Sequence, residues 1–131
     1  MNRPAILYDP DCGFCRASLG LLLAWDRPGR LRPVALGSAE ANRLLAAMPE
    51  EERMASWHLV EPGGAVRSAG AAFAPLLRLL PGGAPLAAAA ERFPGASARG
   101  YRFVADNRSR IGRLVPQVAK ARADALIARR A

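Results

Sequence analysis

The chain has 131 residues, 51% of them hydrophobic, and a formal net charge of +8. This length favours one globular domain over residues 1–131 with a core of its own. Because no stretch reaches the roughly 18 apolar residues that a membrane-spanning helix requires, we expect no membrane span. Asp9 and Asp11 follow a short apolar run, Ala5 to Tyr8, which does not fit a secretory signal, so we expect a cytoplasmic protein.

The positive charge is carried almost entirely by arginine, with Lys120 as the one lysine. The arginines are spread along the chain with slight enrichment from Arg99 to Arg130, and no motif of a nucleic-acid reader is visible. Basic composition alone favours non-specific association, so we expect no specific nucleic-acid partner. A non-catalytic interaction module that uses the basic region from Arg99 onward is one alternative function.

In chain order, the pattern first predicts a buried strand over Ala5–Tyr8 and a helix from Cys12 to about Asp26, with Asp11 as its N-cap. A strand over 31–36 and a helix over 39–47, which ends before Pro49, are predicted next, followed by a hairpin of strands 57–60 and 65–67. Two further helices are predicted over 68–80 and 85–91. One or two helices over about 97–128, interrupted near Gly112 or Pro116, end the predicted order, and we expect residues 128–131 to be frayed. This order is typical of a single-domain thioredoxin-like α/β fold, a central four-stranded mixed sheet flanked by helices, here with an extra C-terminal helical segment.

The two cysteines, Cys12 and Cys15, lie at the predicted strand-to-helix junction. In a cytosolic chain a lone close pair indicates redox or metal chemistry, because a disulfide that closes so short a loop removes little chain entropy. The unpaired N–H groups and the dipole of a helix N-terminus favour a thiolate, so we predict Cys12 as the exposed nucleophile. We predict that Cys15 attacks the mixed disulfide on Cys12 and releases the reduced substrate.

Residues beside the dithiol are candidates for further roles. Arg16 favours a thiolate electrostatically, whereas nearby carboxylates oppose it. Two roles are open for Asp9, a proton relay to Cys15 or a hydrogen bond that completes a turn. Gly13 permits close approach of a partner's backbone, and Phe14 is either an apolar lip for a disulfide substrate or part of the packing.

Three segments carry a resemblance to a known family. Tyr8-Asp9-Pro10-Asp11-Cys12-Gly13-Phe14-Cys15 resembles the D-x-x-C-x-x-C opening motif of the DCC family of thiol-disulfide oxidoreductases. The middle segments 56–60, 63–64 and 70–72 and the late segment Tyr101-Arg102-Phe103-Val104-Ala105-Asp106-Asn107-Arg108 resemble later blocks of that family.

The resemblance implies a thioredoxin-like fold and dithiol/disulfide exchange with a protein or small-molecule disulfide, and a cellular reductant for recycling. With Gly13 and Phe14, Trp57 is a predicted substrate contact. Since no Gly-rich phosphate loop is visible, we expect no cofactor. Pro10 stands where the family commonly has glycine, and no proline precedes Trp57, where thioredoxins place a cis-proline. The late block suggests no mechanism for Asn107, and we predict a solvated helix face for Arg108.

A zinc site is the second alternative. Cys12 and Cys15 would be joined by His58 and by Asp9 or Asp11 as the fourth ligand. Only three residues of the chain are cysteine or histidine, fewer than the four of a usual structural zinc site. We therefore predict no metal site, and His58 as a hydrogen-bonded core or edge residue of its strand.

Overall fold

A four-stranded sheet with helices on both faces forms the centre of the molecule in a computed structural model that describes residues 3–131. The strands are β1 (Ala5–Tyr8), β2 (Arg32–Ala35), β3 (His58–Val60) and β4 (Val66–Ser68). The helices are α1 (Gly13–Trp25), α2 (Ala39–Leu44), α3 (Glu50–Ala55), α4 (Phe73–Leu79), α5 (Ala84–Arg92), α6 (Pro94–Leu114) and α7 (Gln117–Arg130), and a 3-10 helix (Ala69–Ala72) precedes α4.

The sheet order is β2-β1-β3-β4. β1 pairs in parallel with β2 and antiparallel with β3, and β3 and β4 form the antiparallel hairpin. Pro33 lies in β2, an edge strand, where the N–H group that proline lacks is tolerated. The predicted thioredoxin-like arrangement is confirmed, and it places the end of β1, the start of β3 and the start of α1 at the same end of the sheet.

Alternation along β1 divides the core into two layers. Ile6 points to the layer that α1, α4 and α7 cover, which contains Leu23, Leu76 and Ile127. The neighbouring β1 residues Ala5 and Leu7 point to the opposite layer, covered by α2. Burial of both faces anchors β1, and therefore the chain segment that carries the two cysteines after it.

The C-terminal helices pack directly against α1. A Cβ atom added to Gly20 of α1 would lie 2.4 Å from the Cβ of Ala123 in α7, so the backbones of the two helices approach very closely. Gly112 of α6 lies against Phe14, whose backbone nitrogen would be 3.3 Å from an added Cβ. The predicted interruption of the terminal helices lies at Pro116, whereas Gly112 is inside α6.

Several predicted boundaries are wrong. The glutamates after Pro49 form the first turn of an unpredicted helix, α3, where negative charge favours the helix N-terminus. Residue 68 closes β4 instead of opening a helix, and a 3-10 turn separates it from α4. The end of the chain is helical through Arg130, because this side chain donates to the Asp26 carboxylate and to two backbone oxygens of α1 and its C-cap.

Candidate dithiol site

Cys12 is the N-cap of α1, with extended backbone geometry just before the first helical residue. Its Sγ accepts a hydrogen bond from the Cys15 backbone N–H at 3.2 Å and one from Cys15 Sγ at 2.6 Å. The prediction of Asp11 as N-cap is wrong, because the sulfur of the next residue takes that role. The fold thus brings the two predicted redox thiols into direct contact at the N-terminus of a helix.

Both cysteines are half-buried, so Cys12 is less exposed than predicted. Cys15 lines a cavity of about 80 Å³ that we call the thiol cavity. Its lining residues are Asp9, Phe14, Cys15, Met54, Ser56, Trp57, Tyr101, Val104, Ala105 and Arg108. These residues come from the end of β1, from α1, from α3 and the segment that joins it to β3, and from α6, so the cavity exists only in the folded chain.

The thiol cavity disfavours the ionised form of Cys15. The pKa of this thiol is raised to about 12, first by burial and then by the hydrogen bond to Cys12 and the proximity of Cys12 and Asp9. The positive charge of Arg108 acts in the opposite direction. Cys15 is therefore protonated at neutral pH in the reduced protein.

Asp9 makes a turn-forming contact and also lies on the wall of the thiol cavity. Its Oδ1 accepts a hydrogen bond from the Asp11 backbone N–H at 2.9 Å, which is the predicted turn-forming contact. The same residue lines the thiol cavity with Cys15. The turn therefore holds the Asp9 carboxylate at the wall of the thiol cavity, which Cys15 also lines.

Tyr101 and Arg108 of α6 are functional candidates to which the sequence motifs assign no chemical role. The prediction of a solvated face for Arg108 is wrong, because the residue is half-buried and lines the thiol cavity. Burial raises the pKa of Tyr101, while a hydrogen bond to Ser56 and the charge of Arg108 lower it. Residues 101, 104, 105 and 108 follow helical spacing. This spacing indicates that their side chains share one face of the helix.

Asn107, the other polar residue of the late block, does not line the thiol cavity. Its side chain donates a hydrogen bond to the backbone oxygen of Phe103 one turn earlier in α6, at 2.8 Å. This contact stays within its own helix.

The predicted substrate contacts lie in two different environments. Phe14 and Trp57 are on the wall of the thiol cavity, and the Trp57 ring also meets Phe73 with 5.4 Å between centroids. Gly13 lies beneath Lys120 of α7, whose Nζ is 3.4 Å from the position of an added Cβ. A cation from the last helix therefore covers the turn between the two cysteines.

Arg16, predicted to favour a thiolate, is held by other groups. Its guanidinium donates to the Pro10 backbone oxygen at 2.7 Å, and its Nε lies 3.2 Å from Asp124 Oδ1 of α7 without hydrogen-bond geometry. A carboxylate thus balances this charge, and Arg16 braces the turn before the dithiol against the last helix.

His58 is buried in β3, as predicted. Its Nε2 donates to the Arg53 backbone oxygen at 2.9 Å, because a carbonyl only accepts, and its Nδ1 then accepts from the Ser68 hydroxyl at 2.6 Å. Within residues 3–131, no three or more histidine, cysteine, aspartate or glutamate side chains are arranged to hold a metal ion. The structure therefore does not join His58 to the dithiol as a ligand set.

A larger groove of about 960 Å³ shares Tyr101 with the thiol cavity as a lining residue. It runs between the 3-10 helix, α4 and the first half of α6, and its charged wall includes Arg67, Arg78 and Arg102. The first two of these arginines pair with Glu61 and Glu91. Much of the remaining wall is formed by small residues, among them Ala69, Gly70 and Ala98.

The family of the chain can be identified once this geometry is known. In the described part of the chain, no helix has both the length and the apolar character to cross a membrane. No curated protein and no solved structure matches the chain significantly. A family model described as DCC1-like thiol-disulfide oxidoreductase matches residues 6–114, which include the dithiol, the sheet and α6. The chain belongs to the DCC1-like thiol-disulfide oxidoreductase family.

Proposed function

We propose that this protein is an enzyme that exchanges disulfides, with Cys12 as nucleophile and Cys15 as resolving thiol. The observation that carries the proposal is the pair of hydrogen bonds that Cys15 donates to Cys12 Sγ, from its backbone N–H and its thiol. Both donors stabilise negative charge on the accepting sulfur, and the N-terminus of α1 acts in the same sense. Cys12 is therefore the sulfur prepared to attack, and Cys15 the sulfur that holds its proton.

In the reductive direction, the Cys12 thiolate attacks one sulfur of a substrate disulfide and forms a mixed disulfide, and the other substrate sulfur leaves as a thiolate. Cys15 then loses its proton and attacks Cys12 Sγ. The bond between Cys12 and the substrate breaks, and its electron pair leaves with the second substrate sulfur. The dithiol is oxidised by two electrons and the substrate disulfide is reduced by two, so a cellular reductant must return two electrons to the enzyme.

Asp9 is proposed to accept the proton that Cys15 loses. Support comes from the thiol cavity, which both side chains line and which has room for a bridging water. A water between carboxylate and thiol would carry the proton without direct contact. The turn-forming hydrogen bond engages one carboxylate oxygen, Oδ1, which leaves acceptor capacity for this role.

The substrate is proposed to be a protein or small-molecule disulfide that contacts Gly13, Phe14 and Trp57. The two aromatic residues offer apolar surface beside the second thiol. We propose the cytoplasm as the compartment, since a lone close cysteine pair there is kept reduced and serves exchange rather than structure. No resident cofactor is required by this chemistry.

The test is the equilibrium reduction potential of the dithiol. The protein is equilibrated in glutathione buffers of graded composition, and the fraction of reduced thiols is measured by alkylation. We expect a reversible two-electron couple between about −120 and −270 mV. Cys12→Ser is expected to abolish exchange, whereas Cys15→Ser is expected to accumulate a mixed disulfide at Cys12. Thiols that neither oxidise in these buffers nor form a mixed disulfide would exclude the proposal.

A further inference from the structure

Arg108 is the positively charged residue on the wall of the thiol cavity, and the exchange mechanism above assigns it no role. It is half-buried on α6. Its positive charge acts on both Cys15 and Tyr101, and it opposes the overall rise in the pKa of each group. No ion pair joins Arg108 to a carboxylate among residues 3–131. Its charge is therefore available to the second thiol.

The other ionisable groups around Cys15 cannot supply this charge. Cys12 at the N-cap of α1 and Asp9 after β1 both favour the neutral thiol of Cys15. Tyr101 on α6 has a pKa above its ordinary value and is neutral near pH 7. Lys120 of α7 lies over Gly13 on the turn between the cysteines and does not line the thiol cavity. Arg108 is thus the cation that faces Cys15 itself.

We propose that Arg108 is a positioning residue for the resolving step, the positive charge beside which Cys15 Sγ becomes a thiolate as it attacks the mixed disulfide. This inference rests on the proposed function and assigns to α6 a role in its second half-reaction. The proton leaves Cys15, the new bond forms between Cys15 Sγ and Cys12 Sγ, and the substrate sulfur departs with the electron pair. Arg108 changes no covalent bond and only stabilises the charge that passes through Cys15.

The experiment isolates that half-reaction. The mixed disulfide of Cys12 with thionitrobenzoate is formed in the full chain, and release of the coloured thiol is followed over time in wild type, Arg108→Gln and Arg108→Lys. A nearby opposite charge lowers a thiol pKa by roughly 1 to 3, and part of the lost thiolate is offset by higher nucleophilicity. We therefore expect Arg108→Gln to slow release by about three- to thirtyfold, and Arg108→Lys to restore most of the rate.

The matched control is Arg110→Gln, which removes the same charge from an exposed position of the same helix and is expected to leave the release rate unchanged. A second readout titrates Cys15 by alkylation in a Cys12→Ala background. There Arg108→Gln is expected to move the alkylation profile to higher pH, and a merely structural role would leave that midpoint in place.

The outcomes separate the two proposals. If wild type releases no thionitrobenzoate, or releases it equally fast as Cys15→Ser, the proposed function fails and the role of Arg108 falls with it. If wild type releases it and Arg108→Gln matches wild type in both rate and alkylation profile, the inference on Arg108 alone is overturned. If Arg108→Gln fails to fold, the test rests on Arg108→Lys, which keeps the positive charge. A release rate and an alkylation profile of Arg108→Lys unlike those of wild type would overturn a role for the charge.

Discussion

Gly20 of α1 and Ala123 of α7 meet so closely that a Cβ atom on the glycine would lie 2.4 Å from the Cβ and 2.7 Å from the Cα of the alanine. Neither distance is compatible with ordinary van der Waals packing, and the second involves backbone that cannot rotate away. This close approach holds α7, which lies beyond the residues matched by the family model, against the helix that begins at the dithiol.

Gly20→Ala is expected to lower the free energy of unfolding by about 1–3 kcal/mol, because overpacking outweighs the gain in helix propensity. Ala123→Gly in the same chain should recover part of the loss, since it removes the methyl group that the new side chain meets and leaves the backbone of α7 in place. Chemical denaturation of both single variants and the double variant measures the coupling.

The control for this prediction is Gly100→Ala in α6, where an added Cβ has no neighbour within 4 Å. That substitution is expected to raise stability by up to about 1 kcal/mol. Equal effects of alanine at the two glycines would show that helix propensity, and not the packing of α1 against α7, dominates.

Arg130→Ala is expected to destabilise the protein by about 3 kcal/mol. The Asp26 side chain is fully buried, and Arg130 Nη1 lies 3.1 Å from its Oδ2. Removing the arginine leaves a buried carboxylate with only the backbone N–H groups of Arg30 and Leu31 as donors. Arg129→Ala, at the exposed neighbouring position, should change stability by less than about 0.5 kcal/mol in the same denaturation experiment. Indistinguishable curves for the two variants would contradict this role of the ion pair.

Stability under reducing conditions is expected to fall as pH rises from about 9 towards 12. The folded-state pKa of Cys15 is raised from 9.0 to about 12, so over this interval the unfolded chain loses the thiol proton while the folded chain keeps it. The unfolded state therefore binds fewer protons, and stability decreases with pH. Cys15→Ser should lack this part of the alkaline loss when thermal unfolding is followed at several pH values. A parallel loss in wild type and variant would assign the effect to other groups, such as Tyr8 and Tyr101, whose pKa values are also raised.

Asp9→Asn separates the two roles of that carboxylate. The amide oxygen can still accept from the Asp11 backbone, so the turn is retained. Without the negative charge, which raises the pKa of Cys15, alkylation of Cys15 at fixed pH should become faster. Loss of the proton acceptor should nevertheless slow release of substrate from the mixed disulfide, by roughly tenfold or more. Faster release together with faster alkylation would rule out the relay, and Asp11→Asn, an exposed neighbour, should change neither rate.

The dithiol and the order of strands and helices along the chain could be predicted from the sequence because their signals are local. Cys12 and Cys15 follow a short apolar strand, and a helix N-terminus prepares a sulfur for nucleophilic attack whatever else the chain does. Strand alternation and turn residues likewise depend on neighbours a few positions away.

Boundaries failed where two local preferences competed. Three glutamates after Pro49 suggested a stop, yet the same charges stabilise the first turn of α3. At the dithiol, Asp11 is a good capping residue by type, but the turn that Asp9 makes with the Asp11 backbone gives the cap position to Cys12.

The sequence by itself determined which residues can carry redox chemistry and that they begin a helix after a buried strand. Only the tertiary structure decided what surrounds them: Arg108 facing Cys15, Lys120 over Gly13, and a buried Asp26 held by Arg130. The physical reason is distance along the chain. Helix α6 contributes Tyr101, Val104, Ala105 and Arg108 to the cavity around Cys15, from some ninety residues away in the chain. Its approach depends on the packing of whole helices, which no local pattern encodes.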